Sequence, residues 1–207
     1  MTGLPSLLVF AKEPAPGAVK TRLAADVGAE QAAVVYRELT TLTLAHASAA
    51  RDARIVGRVE LWCTPDPATA WFRGLAADHR AALHGQGDGD LGARMAAALA
   101  SALSRAPAAL IVGTDCPVLD AGYLARACAM LRDHDAVIGP AEDGGYVLVA
   151  GNRTLPFADV RWSTPHALAD TTAGFARAGL RCGTLPVAWD VDDAAGLQRF
   201  AALRPSR

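Results

Sequence analysis

Lysine is almost missing from this chain. Its 207 residues hold two, Lys12 and Lys20, and arginine does the basic work elsewhere. Cysteine is sparse too: Cys63, Cys116, Cys128 and Cys182 are scattered, with no C-x-x-C pair. That pattern suggests neither a zinc site nor a disulfide framework, and fits thiols in a reducing cytoplasm. No apolar run approaches the length of a membrane span, and no basic stretch precedes a long apolar one at the N-terminus, so no signal peptide is expected. The formal net charge is -1, with no basic block, which argues against a nucleic-acid or membrane-surface binder. There is no G-x-G-x-x-G after the first apolar run, no Walker loop and no nucleophile elbow. A dinucleotide dehydrogenase, a P-loop ATPase and a serine hydrolase are therefore disfavoured. The five histidines, His46, His79, His84, His134 and His166, show no metal-ligand spacing.

Present instead is ample material for a core, 52% hydrophobic over a length that fits one domain spanning 1–207. Leu7 to Ala11 reads as a buried strand. Apolar spacing predicts helices over 28–50, 93–105, 123–133 and 194–203. A further helix to about 79 has Asp66 as its candidate cap, and one over 165–178 has Ser163 or Thr164. Strands are expected at 58–64, 83–84, 108–113, 136–139, 146–149 and 183–187. Strands alternating with helices predict an α/β fold, a mostly parallel sheet with helices on both faces. Ligands of such sheets sit outside the carboxyl ends of the strands.

Chemistry-bearing residues fall at those ends. The loop after the first strand contains Pro14, Pro16 and Gly17 and leads to Lys20, Thr21 and Arg22, where a helix could begin. A strand, tight loop and helix start form an anion site, because free backbone N–H groups and the helix dipole point the same way. Both lysines of an otherwise arginine-using chain lie here, and an ordinary solvated loop is the plain alternative. Lys20 and Arg22 are expected to be exposed. Asp115 follows the most apolar strand and suits Mg²⁺ held against phosphates, or else a helix cap. Asp190 and Asp192, two apart in an extended segment, point the same way; one would complete a metal site and the other cap the last helix. Gly87-Asp-Gly-Asp-Leu-Gly92, followed by Arg94, lets backbone approach a nucleotide, while Asp90 is equally a cap. Glu142-Asp143-Gly144-Gly145-Tyr146 suits an acceptor substrate or a plain hairpin turn. Ser163 and Thr164 offer hydroxyls to an anion, with a cap as the ordinary alternative.

Four segments occur in order: Phe10-Ala-Lys-Glu-Pro-Ala-Pro-Gly-Ala-Val-Lys-Thr-Arg-Leu23, Gly89-Asp-Leu-Gly-Ala-Arg-Met95, Gly113-Thr-Asp-Cys-Pro117 and Pro140-Ala-Glu-Asp-Gly-Gly-Tyr146. Together they resemble the bacterial family named radical-SAM/selenodomain-associated transferase 1. The resemblance spans nearly the whole chain and is similar, more distantly, to guanylyltransferases acting on phosphoenolpyruvate or phospholactate. It implies the GT-A, nucleotide-diphospho-sugar transferase-like fold and a metal-dependent transferase binding a nucleotide and a small-molecule acceptor. The ending departs from the pattern, with Asp193-Ala-Ala-Gly-Leu197 in place of Thr-Pro-Glu-Asp-Leu.

The expected function is Mg²⁺- or Mn²⁺-dependent nucleotidyl transfer from a nucleoside triphosphate to a phosphate- or carboxylate-bearing acceptor. Lys20, Arg22 and Asp115 would be catalytic. Ala11, Lys12, Gly17, Lys20, Arg22, Gly89, Asp90 and Gly92 would bind the nucleotide. Glu142, Asp143, Gly144, Gly145, Tyr146, Ser163 and Thr164 would bind the acceptor, and Asp115, Asp190 and Asp192 the metal. A glycosyltransferase using a nucleotide-diphosphate sugar is the alternative, and a non-catalytic nucleotide-binding subunit the third reading. The base, the acceptor and the oligomeric state stay open.

Overall fold

The computed structural model describes residues 3–203. In chain order these form β1 (Ser6–Lys12), α1 (Thr21–Val27), α2 (Ala29–Asp52), β2 (Arg58–Thr64), α3 (Ala70–His79), β3 (Ala82–Gly85) and α4 (Leu91–Leu103). Then come β4 (Ala109–Val112), α5 (Ala121–Met130), β5 (Ala136–Pro140), β6 (Tyr146–Gly151), α6 (Ala167–Arg177), β7 (Cys182–Thr184) and α7 (Ala194–Leu203). The sheet runs β3-β2-β1-β4-β6-β5-β7, parallel throughout except for β6, which is antiparallel to β4 and β5. The expected α/β class is therefore observed.

Alternation along the strands builds a core on each face. Leu7, Val9 and Ala11 of β1 pack with Leu44 of α2, Phe72 of α3 and Leu124 of α5, whereas Leu8 faces Met95 and Leu99 of α4 and Phe175 of α6. A third cluster joins Leu23 of α1, Val35 and Leu39 of α2, Phe200 of α7 and Val191. It fixes the segment between β7 and α7 beside the first loop.

Several boundaries and caps differ from expectation. The helix expected from 28 is preceded by α1, the two being separated by Gly28 at φ 86, a conformation open to glycine. Thr69, not Asp66, caps α3; the Asp66 carboxylate accepts the Ala68 N–H in the preceding turn. Asp120 caps α5, which removes the capping alternative for Asp115. Neither Ser163 nor Thr164 caps α6, because the helix starts later; Thr164 Oγ1 accepts the His166 N–H instead. Asp193 Oδ1 accepts the Gly196 N–H and Asp26 Oδ2 accepts the Ala194 N–H, so α7 is capped by neither Asp190 nor Asp192. β7 stops at Thr184, two residues before Pro186, which has no N–H to extend a ladder.

Candidate active site

The first loop turns inward. Val19 is buried against Ala33 and Tyr36, and the next residue, Lys20, adopts the left-handed conformation (φ 50, ψ 46) that starts α1. Such a conformation costs a non-glycine residue about 1–2 kcal/mol, and it aims the ammonium into the protein. Lys20 Nζ lies 2.5 Å from Asp115 Oδ1 and 2.9 Å from Asp192 Oδ1, with its side chain 3% exposed. The expected exposure of Lys20 is thus corrected: two carboxylates from distant strand ends draw it in. Burial acts to lower its pKa, but Asp115 and Asp192 outweigh it and hold the ammonium above its ordinary value. Arg22 is as expected, 66% exposed, its guanidinium 3.8 Å from Asp192 Oδ2. With seven residues and no side-chain cap, α1 contributes little dipole, so the positive charge at this loop is that of the two side chains.

Asp115 stands just past β4, tied to the 189–193 segment by the Val191 N–H, which donates to the Asp115 carbonyl. Val191 is buried, and Asp190 and Asp192 on either side of it point back to the sheet edge, where Asp143 meets them. One oxygen each from Asp143, Asp190 and Asp192 lies within 4.8 Å of the others. Burial, then the Asp192 and Asp143 charges, push Asp190 up to about 6. Four carboxylates face two cations here. The donors are all oxygen, the set that Mg²⁺ or Mn²⁺ takes, and the surplus negative charge fits a divalent cation. The hairpin between β5 and β6 brings Asp143, expected among the acceptor residues, to Asp190 and Asp192.

That hairpin bears out the turn reading of Glu142–Tyr146. Ala141 N–H donates to the Gly145 carbonyl, and Gly145 N–H donates to Asp143 Oδ1. Gly144 is at φ 86, and a Cβ there would lie 2.3 Å from the Pro165 carbonyl. Glu142 is engaged by Arg199 at 2.7 and 3.3 Å. Tyr146 turns its ring to Trp162, and burial raises its hydroxyl pKa. Ser163 sits at φ 60 and Thr164 donates to the Arg161 carbonyl, both in the loop before α6.

Of the nucleotide candidates, Ala11 is buried, and the Lys12 N–H donates to the Tyr36 hydroxyl at 2.7 Å. Gly17, Gly87 and Gly89 all have positive φ, and Gly17 and Gly87 have open space where a Cβ would stand. Asp90 caps α4 by accepting the Ala93 N–H. Gly92 is buried against Phe157 and Trp162, so its missing side chain serves helix packing. Sequence reasoning passed over Tyr36, whose hydroxyl pKa is raised by burial and by Asp115. It also passed over the buried Gln86, whose amide donates to the Ala11 and Trp62 carbonyls. A lone polar-tipped residue in an apolar helix or after a short strand carries no motif.

The profile of a family described as "Uncharacterized protein conserved in bacteria (DUF2064)" matches residues 43–164, more than half of the sequence. The chain belongs to the DUF2064 family. No functionally curated protein matches this DUF2064 chain. A protein from Desulfovibrio desulfuricans, provisionally described as a nucleotide-diphospho-sugar transferase, is similar at 29% identity, covering 96% of this chain and 87% of that one, with a TM-score of 0.83. 4-Diphosphocytidyl-2C-methyl-D-erythritol synthase from Anaerococcus prevotii is similar in fold at 10% identity, covering 97% of each chain, with a TM-score of 0.63. So is glucosyl-3-phosphoglycerate synthase from Mycobacterium tuberculosis, solved with Mn²⁺, UDP and glucosyl-3-phosphoglycerate, at 11% identity, covering 97% of this chain and 75% of that one, with a TM-score of 0.60. The DUF2064 chain thus shares its fold with nucleotidyl- and glycosyltransferases.

Proposed function

We propose that this protein transfers a nucleotidyl group from a nucleoside triphosphate to a small acceptor bearing a phosphate or carboxylate. One observation carries the reading: Lys20 and Arg22 meet the carboxylates of Asp115 and Asp192, and Asp192 in turn lies with Asp190 and Asp143, so three separate segments bring acids to one place beside two cations. The exposed Arg22 fork offers two parallel hydrogen bonds to phosphate oxygens. Lys20 adds a point charge on the same side. Asp143, Asp190 and Asp192, with Asp115 beside them, would hold Mg²⁺ or Mn²⁺, which supplies neutralising charge at the phosphates.

In the reaction an anionic acceptor oxygen forms a bond to the α-phosphorus. The bond from that phosphorus to the bridging oxygen breaks, and pyrophosphate departs with the electron pair. No proton need be removed from such an acceptor, so the side chains contribute position and charge rather than covalent chemistry. A triphosphate carries more charge than a diphosphate; the exposed Arg22 suits its leaving pyrophosphate, and Lys20, held between Asp115 and Asp192, acts there only through its charge.

The fold shared with a UDP-bound glycosyltransferase supports a second reading, transfer from a nucleotide-diphosphate sugar. The two separate by products. With Mn²⁺ or Mg²⁺, a panel of triphosphates and phosphorylated acceptors, pyrophosphate release is the expected outcome. Nucleoside diphosphate release from a nucleotide sugar, with no pyrophosphate from any triphosphate, would establish glycosyl transfer instead. Nucleotide binding without either product would point to the non-catalytic subunit.

A further inference from the structure

Two neighbouring pairs of residues face each other where the β5–β6 hairpin meets the segment before α7. Glu142 precedes Asp143 on one side, and Trp189 precedes Asp190 on the other. The backbones join just before these pairs: the Glu142 N–H donates to the Ala188 carbonyl at 3.1 Å, and the Ala188 N–H to the Pro140 carbonyl at 2.9 Å. Past that bridge a side chain from α7 spans both. The Arg199 guanidinium lies 4.3 Å from the centre of the Trp189 ring and grips the Glu142 carboxylate at 2.7 and 3.3 Å. We propose that Arg199 is a positioning residue, which fixes Asp143 against Asp190 by holding Glu142 onto Trp189.

Asp143, Asp190 and Asp192 repel one another, and Asp143 is carried by a hairpin turn beyond the last backbone bond to the opposite segment. Its far side is already stopped, since the Leu168 N–H donates to the Gly144 carbonyl and Gly144 abuts Pro165. On the near side the backbone is tied at Ala188, and Arg199 adds the side-chain restraint. A planar fork that stacks and bonds bidentately is suited to this, and a lysine is not. The pair is half exposed, at 48% and 54%, where an ion pair contributes little to stability. Its placement is therefore better accounted for by geometry than by stabilisation. On this view Glu142 belongs to the brace and not to the acceptor.

The inference rests on the reading of the three acids as cation ligands, and Mn²⁺ binding to the whole protein without nucleotide tests the two separately. Free Mn²⁺ is followed by electron paramagnetic resonance, with the melting temperature measured in parallel. Asp143→Asn serves as the control and is expected to weaken Mn²⁺. Outer-shell partners typically alter metal affinity 10–100-fold, so Arg199→Met should weaken Mn²⁺ about tenfold while the melting temperature stays close to wild type. Arg199→Lys, which keeps the charge, should not restore it. Charge alone predicts the opposite sign for Arg199→Met, because removing a cation beside an acidic cluster would tighten Mn²⁺. Unchanged or tighter binding in Arg199→Met, with Asp143→Asn weakened, overturns the brace. If Asp143→Asn binds like wild type, the acids are not ligands and the functional reading falls with the inference. Should Arg199→Met fail to fold, Trp189→Leu removes the surface on which Arg199 rests without changing any charge; it is expected to weaken Mn²⁺, and unchanged binding overturns the brace.

Discussion

Replacing Lys20 by methionine keeps an unbranched apolar stem as far as the ε position and removes the ammonium. The structure makes this a costly change. Nζ is 2.5 Å from Asp115 and 2.9 Å from Asp192 and is nearly inaccessible, so its loss leaves two carboxylates facing Asp190 and Asp143 without their counter-charge. Removing one partner of a fully buried pair costs about 3–5 kcal/mol. Asp115 and Asp192 are 46% and 37% exposed, and water takes up part of that loss. Exposed pairs are worth at most about 1 kcal/mol each, which puts Lys20→Met between the limits, at about 1–3 kcal/mol. For a chain of this size each kcal/mol moves the melting temperature by about 2–4 °C, so a fall of about 2–12 °C is expected in EDTA. The carboxylates Lys20 holds are also the proposed cation ligands, and Asp192 has one oxygen towards Lys20 and the other towards Arg22. Added Mn²⁺ should therefore stabilise Lys20→Met more than it stabilises wild type. Differential scanning fluorimetry with and without Mn²⁺ reads both effects. A variant melting within about 1 °C of wild type in EDTA would refute the buried-pair reasoning, and an equal Mn²⁺ response in the two proteins would refute competition for the same oxygens.

Arg22→Ala should weaken nucleoside triphosphate binding with little change in melting temperature, because the side chain is two-thirds exposed; Arg22→Lys should not rescue it, as calorimetry with each nucleotide would show. Gly144→Ala should lower the urea midpoint and Mn²⁺ affinity together, since its φ is positive and a Cβ would strike the Pro165 backbone. In metal-free protein Asp190 favours the protonated form up to about pH 6, against an ordinary value of 3.8. Its folded-state pKa is raised, so its stabilising contribution is present below the unfolded value and is lost as pH rises from about 4 through 6. His46 and His79, lowered by burial, oppose this trend as pH rises towards 6.5. The test is therefore the difference in urea midpoint between wild type and Asp190→Asn at pH 5 and pH 7.5, where the variant should gain relative to wild type at the higher pH.

Local pattern determined much of this protein. The 2.0 and 3.6 periodicities placed the strands and most helices, because each element must bury one face. Proline and glycine located loops after strands, and those loops carry Lys20, Asp115, Asp143, Asp190 and Asp192, with Arg22 in the first turn of the helix that follows the first of them. Caps and helix starts were less legible, since Asp66, Asp115, Asp120, Ser163 and Thr164 all have capping chemistry and only the backbone path selects among them. What the tertiary structure alone decided is which charged groups meet. Lys20 and Asp192 are bonded across 172 positions of sequence, and Glu142 and Arg199 across 57. Nothing in the spacing of either pair encodes the contact. It follows from the order of strands in the sheet, from the direction of β5, whose carboxyl end delivers Asp143 to that edge, and from the burial of Val19 and Val191, which turns their charged neighbours toward one another.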